Sequence, residues 1–132
     1  YTPSPWKGHA LIERIARSFY RDAPNGLVGN DDCGQMSAWL IFATLGLYPV
    51  TPGQANYVLG LPLVKRAKLH LQTSTGEKTI TLNAQTPSSF TRQRAHRVAL
   101  TIDGKGINAQ ESITHETLLQ AIELDYKVIK TT

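Results

Sequence analysis

Cysteine is almost absent. Cys33 is the only one in 132 residues, which excludes an intrachain disulfide and any zinc site built from cysteines. A bound metal would have to be held by oxygen or histidine. No stretch of about 18 residues or more is both apolar and uncharged, so no segment reads as a membrane span. The first residues also lack the charged-then-apolar order of a signal peptide. Internal repeats and low-complexity tracts are missing too. No methionine opens the chain, which runs from Tyr1 almost at once into a helical pattern; the expectation is an upstream region in a larger protein. What is present has the size of one domain and 41% hydrophobic residues, enough to form a core rather than a disordered tail. The net charge of +4 is unevenly placed. Residues 1–56 carry four basic and four acidic side chains, residues 57–132 ten and six.

Two hydrophobic periods divide the chain. From Trp6 to Tyr20 the apolar residues Leu11, Ile12, Ile15, Ala16 and Phe19 recur at three- and four-residue spacing, which predicts an amphipathic helix. Ser4 is placed to cap it, Pro5 suits its first position, and Asp22-Ala23-Pro24-Asn25-Gly26 ends it. A second helix is expected from Gln35 to Leu45, but its apolar residues face every direction, so it calls for burial on all sides. A neighbouring helix and a small sheet cannot supply that. The expected cover is the remainder of a larger helical body or another copy of the chain. Gly46 and Pro49 stop this helix, and a turn-rich connection containing Pro52 and Gly53 runs to Asn56.

After Tyr57 the period becomes two. Ala67, Leu69 and Leu71 alternate with Lys68, His70 and Gln72, and Ile80 and Leu82 alternate with threonines; Ser74-Thr75-Gly76-Glu77 joins the runs as a hairpin. Val98, Leu100 and Ile102 form a third strand, closed by Asp103-Gly104. Ile122, Leu124, Tyr126 and Val128 form the last. A short helix is expected from Thr114 to Ala121, with Thr114 as cap and Ile113 stapling onto Leu118. The fold class read from this order is α+β, helices first and a small antiparallel β-sheet region after, with boundaries at 1–56 and 57–132.

The chemistry concentrates in Gly29-Asn30-Asp31-Asp32-Cys33-Gly34. Adjacent carboxylates lie where a loop enters an apolar helix, near its unpaired backbone N–H groups and the positive end of its dipole. That setting keeps a carboxylate ionised, the state a general base needs to accept a proton from water. Position alone does not make a base and favours the plainer reading of a helix cap.

The whole string GNDDCGQMSAW closely resembles the signature segment of glycoside hydrolase family 92. Pro5-Trp6-Lys7 resembles the family's P-W-K, Asn25-Gly26-Leu27 its approach to the acidic turn, and Gly46-Leu47-Tyr48-Pro49-Val50 its helix exit. Pro52-Gly53, Tyr57-Val58-Leu59-Gly60, Pro62-Leu63 and Ile113-Thr114-His115-Glu116 follow in family order. The chain departs from the pattern at Gly8-His9, where Thr-Gln is common, and at Leu40, where an aromatic is.

The resemblance implies the last helices of an (α/α)6 barrel followed by the terminal β region. It implies part of an exo-acting, inverting α-mannosidase that removes terminal α-linked mannose, α-1,2 being the expected linkage, from a mannose-containing glycan. It also implies calcium, with its main ligands outside these residues, and a secreted or periplasmic location. An inverting mechanism needs an acid and a base about 6.5–9.5 Å apart. Asp31 and Asp32, being neighbours, cannot fill both roles. Both are assigned to the base side, with the choice between them open, and the acid, a glutamate in the family, is expected upstream.

Other features carry less. His9, His70, His96 and His115 have no ligand-like spacing. Trp39, inside an apolar helix, is read as core, and Trp6 is left open. Arg92, Arg94, His96 and Arg97 beside Phe90 have the composition of a nucleic-acid contact, but a charged strand edge explains them without any recognition motif; no nucleic-acid partner is expected. The competing reading of the whole chain is a non-catalytic carbohydrate-binding or structural module.

Overall fold

The computed structural model of the chain describes residues 5–85, 96–107 and 112–130. Its elements are α1 (Pro5–Phe19), α2 (Gln35–Leu45), β1 (Leu47–Tyr48), β2 (Asn56–Leu59), β3 (Arg66–Thr73), β4 (Gly76–Gln85), β5 (His96–Ile102), β6 (Lys105–Gly106), β7 (Ser112–Thr114), α3 (His115–Gln120) and β8 (Glu123–Lys130). This is the expected mixture of α and β.

Pro5 opens α1, where its missing N–H breaks no helical bond. One turn from the end, Arg17 Nε donates to Glu13 Oε1 at 2.8 Å, an i,i+4 pair on an exposed face. The turn after α1 is closed by Gly26 N–H on the Ala23 carbonyl at 2.8 Å and Arg21 N–H on the Gly26 carbonyl at 2.9 Å. A Cβ at Gly26 would stand 1.8 Å from the Arg21 carbonyl oxygen, so only glycine closes it. Gly46 ends α2 in the left-handed region at φ 71°, and a Cβ there would meet the Pro62 ring at 2.8 Å.

Two sheets follow. The smaller, in the order β1-β2-β7, is antiparallel, with Leu47 opposite Leu59 and Tyr57 opposite Ile113. Its strands lie where the sequence showed only a connection, because runs of two to four residues are too short to display a period. The larger has the order β3-β4-β8-β5-β6. The hairpin falls where the alternation put it, with Thr73 opposite Gly76.

The expectation of a purely antiparallel region is corrected here. β8 lies parallel to β4, Leu82 beside Leu124 and Ala84 beside Tyr126, and antiparallel to β5. A parallel neighbour needs a long crossover, and the chain between β4 and β8, which includes β5, β6, β7 and α3, provides it. Alternation reveals that a strand exists but not which way its partners run. Ile122, expected in that strand's apolar row, instead precedes it and is 67% exposed.

The core lies on the inner face of the larger sheet, where Ile80, Leu82 and Leu124 are 0% exposed and Tyr126 is 1% exposed. Each such aliphatic side chain contributes about 1.5–3 kcal/mol over its exposed state. Leu47, Ile113 and Leu118 join the same cluster, so the smaller sheet and α3 pack on it. Tyr126 also reaches back to the end of α2, its hydroxyl donating to the Gly46 carbonyl at 3.4 Å. Burial pushes its phenol well above the usual tyrosine range.

No α2 side chain is buried, and Ile41 is 60% exposed. Only Phe42 and Leu45 of this helix pack against the core. The cover that the sequence calls for does not come from the described residues.

Candidate active site

The loop from α1 reaches α2 through two consecutive left-handed residues, Cys33 at φ 57° and Gly34 at φ 84°. For glycine this conformation is free of steric cost. For cysteine it costs on the order of 1–3 kcal/mol, a strain found mostly where the surroundings demand it. The effect is to fold the turn back over the helix end. The Asp31 carbonyl accepts from Gly34 N–H at 2.5 Å and Gln35 N–H at 3.0 Å.

Folding back brings the Asp31 carboxylate to the open backbone of the first turn of α2. Ser37 donates its N–H to Oδ1 at 2.8 Å and its hydroxyl to Oδ2 at 2.6 Å. Gly34 occupies the cap position but has no side chain to do this work; Asp31 does it from three residues back. The Ser37 hydroxyl, then its amide, hold the Asp31 carboxyl below the usual aspartate range, a smaller pull coming from the Met36 amide while burial opposes. Hydrogen bonds to the charged form explain the direction.

Asp32 differs from its neighbour. It opens a short 3₁₀ turn (Asp32–Gly34), is exposed, and has no side-chain partner among the described residues. The expectation that backbone donors hold a carboxylate ionised therefore applies to Asp31 alone.

Tyr20, at the end of α1, braces this helix end. Its hydroxyl donates to the Met36 carbonyl at 3.0 Å, and its ring stacks on Trp39 with centroids 5.6 Å apart and planes at 13°. Trp39 thus packs against Tyr20, but it is only partly buried and lies outside the core cluster where the sequence put it. Burial, with the Asp31 charge next, raises the Tyr20 phenol. The sequence offered no signal for Tyr20, since it falls at the edge of the helical pattern. Beside it an open depression of about 580 Å³ is lined by residues that include Tyr20, Arg21, Asp22, Leu27, Ser37 and Leu40. Ser37 contributes to its wall; neither Asp31 nor Asp32 does.

Other sequence candidates are scattered. His70 Nδ1 lies 3.1 Å from Thr79 Oγ1 on the polar face of β3. His115 Nδ1 lies 2.9 Å from the Tyr57 hydroxyl, and His9 belongs to α1. Among the described residues no three His, Cys, Asp or Glu side chains are grouped to hold a metal ion. The side chains of Trp6, His96 and Arg97, and all of Phe90, Arg92 and Arg94, lie outside the described residues. Among the described residues no helix is long and apolar enough to cross a membrane.

Residues 1–130 match the catalytic domain of glycosyl hydrolase family 92. A protein of Arthroderma benhamiae, described as an uncharacterized secreted glycosidase, is 30% identical over 82% of this chain and 13% of its own length. Two solved structures from Bacteroides thetaiotaomicron are similar. A family GH92 α-mannosidase is 31% identical with a TM-score of 0.74, over 96% of this chain and 16% of that one. A family GH92 inverting mannosidase is 30% identical with a TM-score of 0.74, over 99% and 17%. This chain spans less than a fifth of the length of each.

Proposed function

Because this chain belongs to glycosyl hydrolase family 92, we propose that it forms part of an exo-acting, inverting α-mannosidase that cleaves terminal α-linked mannose, α-1,2 first, from glycans. Residues 1–56 contribute helices to an (α/α)6 barrel, and residues 57–132 form the terminal β region beside it. The observation that carries the reading is the Asp31–Ser37 clamp at the acidic turn, a carboxylate kept charged where the loop meets α2. The mannosidases similar in structure support the substrate class, and the secreted relative supports a secreted or periplasmic location.

In the reaction, water loses a proton to a carboxylate of this turn while its oxygen bonds to the anomeric carbon. The glycosidic C–O bond breaks, and the leaving oxygen takes a proton from a carboxylic acid on the opposite face of the sugar. That acid belongs to another part of the protein, since Asp31 and Asp32 sit on one turn. Calcium dependence comes with the family. Among the described residues no three His, Cys, Asp or Glu side chains are grouped to hold a calcium ion, and we place its main ligands elsewhere in the protein.

The test is Asp31→Asn and Asp32→Asn, singly, in the full-length protein with a nitrophenyl α-mannoside. The expected outcome is turnover lost by about 10²–10⁴-fold for the base with the melting temperature of a folded protein. Wild-type turnover in both variants would mean that the turn is a cap and nothing more.

A further inference from the structure

The outer face of the larger sheet carries its charge in two columns. Alternation along β3 turns Ala67 and Leu69 toward the core and leaves Arg66 and Lys68 exposed on the other side. On β8 the same alternation buries Leu124 and Tyr126 and turns Glu123 and Asp125 outward. β4 lies between them, and the register sets the columns level. Arg66, Asn83 and Asp125 form one row, and Lys68, Thr81 and Glu123 form the next. Two strand spacings, about 9.5 Å, separate each cation from the carboxylate of its own row. Among the described residues none of these four charges has an ion-pair partner. The two carboxylates share the Asn83 amide, which donates to Glu123 Oε1 at 2.7 Å and to Asp125 Oδ1 at 2.9 Å. Like charges are thus held side by side with no cation to offset them.

A two-fold axis lying over this face and running along β4 would exchange the columns. It sets β3 of one copy over β8 of the other and leaves each row at its own height. Arg66 then faces Asp125, and Lys68 faces Glu123, on both sides of the axis, as an isologous contact requires. Lys127, the next outward residue of β8, meets no cation: its row contains Gln85, and β3 begins only level with Asn83, at Arg66. We propose that this face binds a second copy of the protein in a two-fold dimer, the basic column of each copy set against the acidic column of its partner. The inference stands apart from the mannosidase reading. Strands about 4.8 Å apart with about 3.3 Å per residue give a face of roughly 400 Å², against the roughly 800 Å² per partner of a standard interface. The dimer is therefore weak, and its charges fix its register and specificity more than its strength.

The test is sedimentation velocity of the full-length protein over a range of concentrations, at about 0.1 M and about 1 M salt, where the screening lengths are about 10 Å and 3 Å. The dissociation constant of the wild-type dimer rises by roughly 10–100-fold between the two, the effect of screening several exposed ion pairs at once. Arg66→Glu combined with Lys68→Glu gives a monomer, as does Glu123→Lys combined with Asp125→Lys, and each variant still melts cooperatively. Mixing the two variants restores a dimer with one copy of each, because both sides of the axis again pair acid with base. A wild-type protein that stays monomeric at every concentration overturns the proposal. So does a dimer that survives either charge reversal, or a mixture of the two folded variants that remains monomeric.

Discussion

A carboxylate whose two oxygens both accept hydrogen bonds stabilises the fold only while it is charged. The folded-state value of Asp31 lies below its ordinary one, with the Ser37 hydroxyl as the main cause. In the interval between those two values the unfolded chain binds more protons than the folded chain. Its contribution is therefore complete above about pH 3.9 and is lost as pH falls from there through the folded value. For the full-length protein, melting temperatures of wild type and Asp31→Asn should differ at neutral pH and converge as the solution is acidified through that window. A constant gap across the same range would show that the Ser37 bonds do not respond to the charge of Asp31. The same scale explains Gly46, which needs both a left-handed backbone and room beside Pro62.

Among the elements, the helix ends are built by two different devices. α3 has an ordinary cap: Thr114 Oγ1 accepts from Thr117 N–H at 3.1 Å, with Ile113 before it and Leu118 after it both buried. The sequence showed this in full because every participant lies within one turn. Thr114→Ala should destabilise the protein by about 1 kcal/mol, read from its chemical denaturation midpoint, whereas Thr114→Ser should stay close to wild type. α2 is capped from outside its own first turn, through the left-handed pair Cys33 and Gly34. The strands show a similar division. Alternation located β3, β4, β5 and β8, but the central place of β8 and its parallel pairing with β4 depend on a crossover that no local period encodes.

At the scale of the molecule, the dominant feature is an apolar helix of which the described residues fully bury no side chain. Ile41 on α2 and Leu11 and Phe19 on α1 are each at 46% exposure or more. The chain spans 16% of one mannosidase of similar structure. Expressed alone, the chain should self-associate in sedimentation experiments as its concentration rises and should show no mannoside turnover. A stable monomer with α2 bare would contradict the argument that this helix requires burial. Turnover by that monomer would refute the assignment of the acid to another region.

The sequence alone determined what depends on neighbours along the chain. The period of α1, the all-apolar character of α2, the β3–β4 hairpin, the Thr114 cap and the family signature around Asp31 and Asp32 are all local patterns, legible because a few adjacent residues carry each one. Tertiary structure decided what depends on residues far apart. It set β8 between β4 and β5, paired the two-to-four-residue strands of the smaller sheet, and brought Tyr20 across to Met36. It also separated two aspartates that the sequence left equivalent. The physical reason is that a hydrogen bond depends on where its donor stands in space, and the left-handed turn at Cys33 and Gly34 carries Asp31, not Asp32, to the amide and hydroxyl of Ser37.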